Sequence, residues 1–265
     1  MTHGFSGLRS SFLPDFAEKF VASGYTVLLY DNRNWGESGG QPRNLVDPIL
    51  QTRDYYDAFN FAITLPDVDA ENVVYWGSSL SGGNAIIAAA MNKSIKGVIS
   101  QVPFVSSAGM PAPPAVFWQT LLQDRAAIID GMDPIMAPVF PHLNEILGGE
   151  SKAILQDPNS IPFTEEMERR GLPWEKYAAL QSLLHGIGHE PRAVIKWISP
   201  RPLLILIAEK DATIQPKAQE EAFGEALEPK TLHVIKNAGH FDPYYGEAFE
   251  ESITVQLKFL KELFT

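Results

Sequence analysis

At 265 residues, 45% hydrophobic and 20% charged, the chain has an ordinary globular composition, long enough for one large core plus an insertion. Its net charge of -11 disfavours nucleic acid and anionic membranes as partners, since both need basic patches. With no cysteine, disulfides, thiolate metal sites and a cysteine nucleophile are excluded. No apolar run approaches the ~20 residues of a membrane span, and no basic-then-apolar leader opens the sequence, so a cytoplasmic location without membrane contact is expected.

Near its start the chain carries the stretch His3-Gly4-Phe5-Ser6-Gly7. Ser10 to Ser23 reads as an amphipathic helix, with Phe12, Phe16, Phe20 and Val21 on one side and Gly24 past its end. Tyr25 to Tyr30 reads as a strand and leads into the loop Asp31-Asn-Arg-Asn-Trp-Gly-Glu-Ser38. Leu50 to Leu65 carries Tyr55, Phe59 and Ile63 at helical spacing, which assigns them to the core. Val73 to Trp76 is a strand, Leu80 to Met91 an alanine-rich helix and Lys96 to Val102 a strand. About 95 residues of different character follow, rich in proline (Pro111, Pro113, Pro114, Pro134, Pro138, Pro141) and large apolar groups; a loop that long needs structure of its own, so a helical cap is expected. Arg201 to Ala208 and Thr231 to Lys236 are strands, and Phe249 to Phe264 closes the chain as a helix. Alternating strands and helices predict an α/β fold with a mostly parallel sheet flanked by helices. The expected division is 1–103 with 198–265 as the core and 104–197 as the cap.

The stretch Gly77-Ser-Ser-Leu-Ser-Gly-Gly83, directly after an apolar strand and at the start of a helix, carries most of the chemistry. A serine on a sharp strand-to-helix turn needs small neighbours two positions away, and the helix N-terminus aims free N–H groups at charge developing beside it. Ser79 is the expected nucleophile. Ser81 stands where the G-x-S-x-G pattern has glycine, and a shifted frame would make Ser81 the nucleophile instead. Downstream, Asp211 follows the strand ending at Ala208, and His240 follows Gly239 after the next strand. In that order His240 would take the proton of Ser79 while Asp211 fixes the imidazole tautomer. Glu209 is the competing acid, two residues nearer the strand. His185 and His189 are four apart but lack a third ligand and lie among glycines, so no metal is expected.

With these residues in place, the whole chain resembles the α/β-hydrolase superfamily. Tyr30-Asp-Asn-Arg-Asn-Trp-Gly-Glu-Ser38 resembles its D-x-R-x-x-G-x-S loop, and Thr2-His-Gly-Phe-Ser-Gly7 its HG-x loop. Together with Val46-Asp-Pro48 and Gly77-Ser-Ser-Leu-Ser-Gly-Gly-Asn84, this text is most similar to fungal secondary-metabolite hydrolases described as polyketide thiohydrolases and transferases, although bacterial hydrolases share much of it. The resemblance implies an oxyanion hole made by the N–H groups of Phe5 and Leu80, no cofactor, and an apolar acyl ester or thioester as substrate. A small-molecule acyl group on an acyl carrier domain of a polyketide synthase is the implied partner. Rival readings are an acyltransferase using the same triad and a non-catalytic binding protein on this fold. Haloalkane and epoxide hydrolases place a carboxylate where Ser79 stands. In the cap, Phe117, Trp118, Met132, Met136 and Trp174 are the expected substrate-binding residues, with Phe140, Tyr177 and Trp197 as further wall material. Oligomeric state leaves no mark in the sequence.

In that family strands precede the HG loop, and the strand feeding it lies inside the sheet. Here Met1 and Thr2 alone precede His3. Two expectations follow: that N-terminal strands, some ~30–40 residues, are missing from the recorded chain, or that the flanking strands pair directly or accept a strand from another chain.

Overall fold

Six parallel or antiparallel strands and nine α-helices make up the computed structural model, which describes residues 1–108, 112–149 and 151–265; Pro111 lies outside them. In chain order these elements are α1 (Leu13–Ala22), α2 (Pro48–Ala62), β1 (Val74–Ser78), α3 (Leu80–Met91), β2 (Gly97–Gln101), α4 (Ala115–Ile129), β3 (Met136–Pro138), α5 (Leu143–Gly148), α6 (Ser160–Arg170), β4 (Tyr177–Ala179) and α7 (Gln181–Gly186). A 3-10 helix (Pro191–Trp197), β5 (Leu203–Ala208), α8 (Pro216–Glu225), β6 (Lys230–Ile235), a second 3-10 turn (Asp242–Tyr244) and α9 (Gly246–Leu263) complete the chain.

The central sheet runs β1-β2-β5-β6, all parallel. Every residue of β2 and β5 is buried, as expected of strands covered on both faces. Alternation then divides their side chains between two cores. Trp76, Ile99, Leu204 and Leu206 pack with Phe16 and Phe20 of α1 and Phe249, Ile253 and Phe259 of α9. Tyr75, Val98, Leu203, Ile205 and Ile207 pack on the opposite side with Tyr55, Phe59, the alanines of α3 and Ala222 of α8. The connections follow the same logic: Gly77 and Gly83 let α3 approach, since a Cβ on Gly77 would lie 2.0 Å from Ser81 O and one on Gly83 2.2 Å from Phe104 O.

Residues 104–197 supply α4 to α7, the first 3-10 helix and a two-stranded antiparallel ladder of β3 and β4, in which Met136 pairs with Ala179. Strand structure in this region was not anticipated; each strand is three residues long, below what alternation can reveal. The 3-10 helix packs under α3, where Ile195 joins the second core. Among the described residues no helix is long and apolar enough to cross a membrane.

Tyr25 to Tyr30 corrects the sequence reading. The stretch forms no strand ladder among the described residues: Tyr25 N–H donates to Phe20 O at 3.1 Å, the amino group of Met1 donates to Leu28 O at 2.8 Å and Tyr30 N–H donates to Met1 O at 3.4 Å. Thr2 in turn bridges Gly77 of β1 in parallel fashion and donates its hydroxyl to Tyr30 O. Residues 25–30 and β1 do not pair with each other, so direct closure between them is not the arrangement found. A cavity of about 400 Å³ lies between them, lined by groups such as Val27, Tyr55, Phe59 and Trp76.

The glycine positions separate by what surrounds them. In urea denaturation, Gly77→Ala should lose more than about 3 kcal/mol of stability through overlap with the backbone of Ser81. Gly224→Ala, in open space within α8, should gain about 0.5–1 kcal/mol.

Candidate active site

Ser79 occupies the turn between β1 and α3 with φ 54° and ψ -122°, a backbone conformation that a non-glycine residue adopts only under constraint. The constraint is visible: Ser79 N–H donates to Gln101 O at 2.9 Å, and Ser79 O accepts from Phe104 N–H at 2.9 Å and Gly83 N–H at 3.2 Å. This geometry presents Oγ to His240, whose Nε2 lies 3.0 Å away. His240 Nδ1 is 2.7 Å from Asp211 Oδ2, and both residues are buried. Asp211 Oδ1 also accepts from the backbone N–H groups of Thr213 (2.9 Å) and Ile214 (2.7 Å), which leaves Oδ2 facing the imidazole. With Nδ1–H donating to the carboxylate, Nε2 is the acceptor for the serine hydroxyl. Glu209, by contrast, is turned outward to Lys236 and the N–H of Asn237.

Ser81 does not face His240. Its hydroxyl donates to His3 O, which also accepts from Asn32 Nδ2 at 3.0 Å. Together these bonds pin the start of the HG loop against the turn. Gly4 follows so closely that a Cβ there would lie 2.6 Å from Ser79 Cβ. Phe5 N–H has no acceptor among the described residues, and Leu80, the first residue of α3, has no intrahelical acceptor for its own. Asn32 adjoins Asp31, the anchor of the D-x-R-x-x-G-x-S loop, which accepts from the N–H groups of Arg9 (2.7 Å) and Glu37 (3.0 Å). Gly36 has φ 50°, and a Cβ there would meet Asp31 Oδ2 at 2.4 Å, so that loop requires its glycine.

A small cavity of about 30 Å³ adjoins Ser79 and His240, walled by Phe140, Leu155, Phe163, Met167, Trp174 and Phe241. Of the residues expected to wall the site, Trp174 and Phe140 line this cavity. Phe117 and Trp118 contact each other on α4 outside it, and Met132 and Met136 are 65% and 42% exposed. Phe163 and Met167 were missed, although an apolar pair four apart, with Met167 set among charged residues, is a legible inward face of α6. The 400 Å³ cavity beside the start of β1 is larger, but Ser79 and His240 do not line it.

His185 lies 3.3 Å from Asp47, while His189 stacks on Phe104, and no cluster of three or more metal-ligating side chains occurs among the described residues. His3, which lines the same small cavity as Ser79 and His240, stacks flat on Tyr244 at 5.1 Å. Burial lowers its pKa to about 4, helped by the nearby His240. Burial likewise lowers His189 to about 4, against weaker opposing effects of Glu190 and Asp47. Both folded values lie below the unfolded one of about 6.5, so the associated stability is complete above that pH and is lost as pH falls towards 4. Unfolding free energy should therefore decline over that window. His189→Gln should make the decline shallower by up to about 1.4 kcal/mol per pH unit, measured by urea denaturation at stepped pH; an unchanged slope would mean that the folded ring takes up the proton.

The family described as "Alpha/beta hydrolase family" matches residues 1–251. A thiohydrolase of Eupenicillium brefeldianum is 34% identical over 266 residues, covering 98% of this chain and 84% of the relative. The polyketide transferase grgF of Penicillium sp is 31% identical, covering 98% of this chain and 86% of its own. The crystal structure of the alpha/beta hydrolase GrgF from Penicillium sp. sh18 superimposes with a TM-score of 0.86 at 30% identity, over 99% of this chain and 88% of that one. The chain, with its parallel sheet flanked by helices and its serine at the turn, belongs to the alpha/beta hydrolase family.

Proposed function

We propose that the protein is a serine hydrolase that cleaves an apolar acyl ester or thioester through an acyl-enzyme on Ser79, with residues 104–197 serving as the cap. The observation that carries this reading is the hydrogen-bonded chain from Ser79 Oγ through His240 to Asp211, beside the N–H groups of Phe5 and Leu80, which have no acceptor among the described residues. His240 Nε2 takes the hydroxyl proton as Ser79 Oγ bonds to the acyl carbon. The carbonyl oxygen becomes an oxyanion held by the N–H groups of Phe5 and Leu80. Collapse expels the alcohol or thiol, which leaves with the proton from His240. Water then repeats the sequence: His240 takes its proton, hydroxide adds to the acyl carbon, and the acid departs as Ser79 recovers its hydrogen.

The wall of phenylalanines, leucine, methionine and tryptophan favours an apolar acyl group. The thiohydrolase and polyketide transferase named above support a polyketide thioester, delivered by an acyl carrier domain, as the leading substrate class. Transfer to an alcohol differs only in what attacks the acyl-enzyme, so product analysis with and without an alcohol separates it from hydrolysis.

A fluorophosphonate probe should add once to the protein, on the peptide containing Ser79; the absence of any adduct would favour a binding protein. With an acyl thioester, Ser79→Ala should lower kcat by roughly four or more orders of magnitude, and Asp211→Asn by about 10⁴. Ser81→Gly restores the commoner residue but releases His3 O, and should lower kcat by about tenfold with little change in KM. Equal kcat in Ser81→Gly and the parent would show that Asn32 alone holds the loop.

A further inference from the structure

Four residues of the cap region, Asp157-Pro158-Asn159-Ser160, meet both loops that supply the triad's acid and base. None of them lines the cavity beside Ser79. Asn159 Oδ1 accepts from the N–H of Phe241 at 2.8 Å, and its Nδ2 donates to Asp242 Oδ1 at 3.0 Å. The other oxygen of Asp242 accepts from Gly239 N–H at 2.7 Å. The peptide N–H groups on either side of His240 are thus held by a two-residue bracket. Gly239 is glycine because Asn159 presses on it: a Cβ there would lie 2.6 Å from Asn159 Cγ. On the other side, Asp157 Oδ2 accepts from the hydroxyl of Thr213 at 2.7 Å, while the N–H of Thr213 donates to Asp211 Oδ1. The turn is itself closed, since Asp157 Oδ1 accepts from Asn159 N–H at 2.9 Å and Ser160 donates its hydroxyl to Asp157 O at 2.6 Å.

We propose that Asp157 and Asn159 are positioning residues for the His240–Asp211 pair, setting the separation of Nδ1 and Oδ2 by tying the two loops to one turn. Because α6 begins at Ser160 and carries Phe163 and Met167 into the acyl wall, the same turn joins the substrate-facing surface to the triad. Parallel pairing of β5 and β6 brings the two loops, 29 residues apart in sequence, to one edge, and the turn then holds each of them by its own contacts. A carboxylate and an amide, each engaged on two sides, resist the drift that a single contact would permit. The inference rests on the serine-hydrolase reading for its kinetic consequence, but not for its structural one.

The test compares Asn159→Ala, Thr213→Val and Thr213→Ser in the full chain by two measurements. The first is turnover of an acyl thioester. Asn159→Ala and Thr213→Val should each lower kcat by about 10- to 100-fold with KM changed less than about twofold, while Thr213→Ser, which keeps the hydroxyl, stays within about twofold of the parent. The second is the low-field proton resonance of His240 Nδ1–H. It should be sharp in the parent and in Thr213→Ser, and broadened or lost in the other two. Parental kcat and an unchanged resonance in both Asn159→Ala and Thr213→Val would overturn the proposal, as would losses in Thr213→Ser equal to those in Thr213→Val. Should Asn159→Ala not fold, the Thr213 pair decides. If the parent itself turns over no thioester or ester, the serine-hydrolase reading fails, and the resonance comparison still decides whether the turn positions the pair.

Discussion

The backbone of Ser79 is held in a conformation that costs on the order of 1–3 kcal/mol, and the site is organised around keeping it there. Three hydrogen bonds do so, from Gln101 at the end of β2, from Phe104 beyond it and from Gly83 in α3. Each anchor brings a further requirement. To let Ser81 O pass, position 77 must be glycine, and to let Phe104 O approach, position 83 must be glycine. Gly4 answers the same need from the N-terminal loop, which runs against Ser79 Cβ. The glycines here serve as clearances for a turn whose apex must carry a side chain.

Ser81 shows how a departure from a common pattern can be absorbed. A hydroxymethyl group fits where glycine is usual because it points away from β1, into the buried space between His3 and Asn32. It there donates to a carbonyl that Asn32 already contacts, so the buried hydroxyl is satisfied and the neighbouring loop is held. The clash that excludes a side chain at 77 has no counterpart at 81, since the two residues face different neighbours.

Much of this was legible in local sequence, and the exceptions share a cause. Val73 to Trp76 followed by small residues announces a strand-to-helix turn, and Asp211 and His240 each follow a strand end, so parallel pairing of β5 and β6 brings them together. Such features depend on a few adjacent residues. Tyr25 to Tyr30 has a strand-like composition, yet strand structure needs a ladder, and among the described residues Phe20, Met1 and Thr2 meet it without forming one. Met132 and Met136 looked like wall material because they are apolar, but whether such residues point inward is set by how the short elements of residues 104–197 pack, and these two are left exposed. Asp157 and Asn159 gave no signal of their partners, which lie 56 and 82–83 residues away.

The two halves of the site are held by different forces, and this bears on what each half can vary. Ser79, His240, Asp211 and the HG loop are fixed by directional bonds between buried polar groups, where losing one partner costs about 1–3 kcal/mol and displaces the rest. The apolar wall beside Ser79 is held by aromatic contacts, with ring centroids of Phe163 and Phe241 4.8 Å apart and of Phe140 and Trp174 5.8 Å apart, which tolerate sliding and substitution of similar volume. The rigid half comes chiefly from the sheet's C-terminal edge and the soft half chiefly from residues 104–197. A change of side chain in the wall can therefore be accommodated without disturbing the hydrogen bonds beside Ser79, whereas a change at the turn alters both.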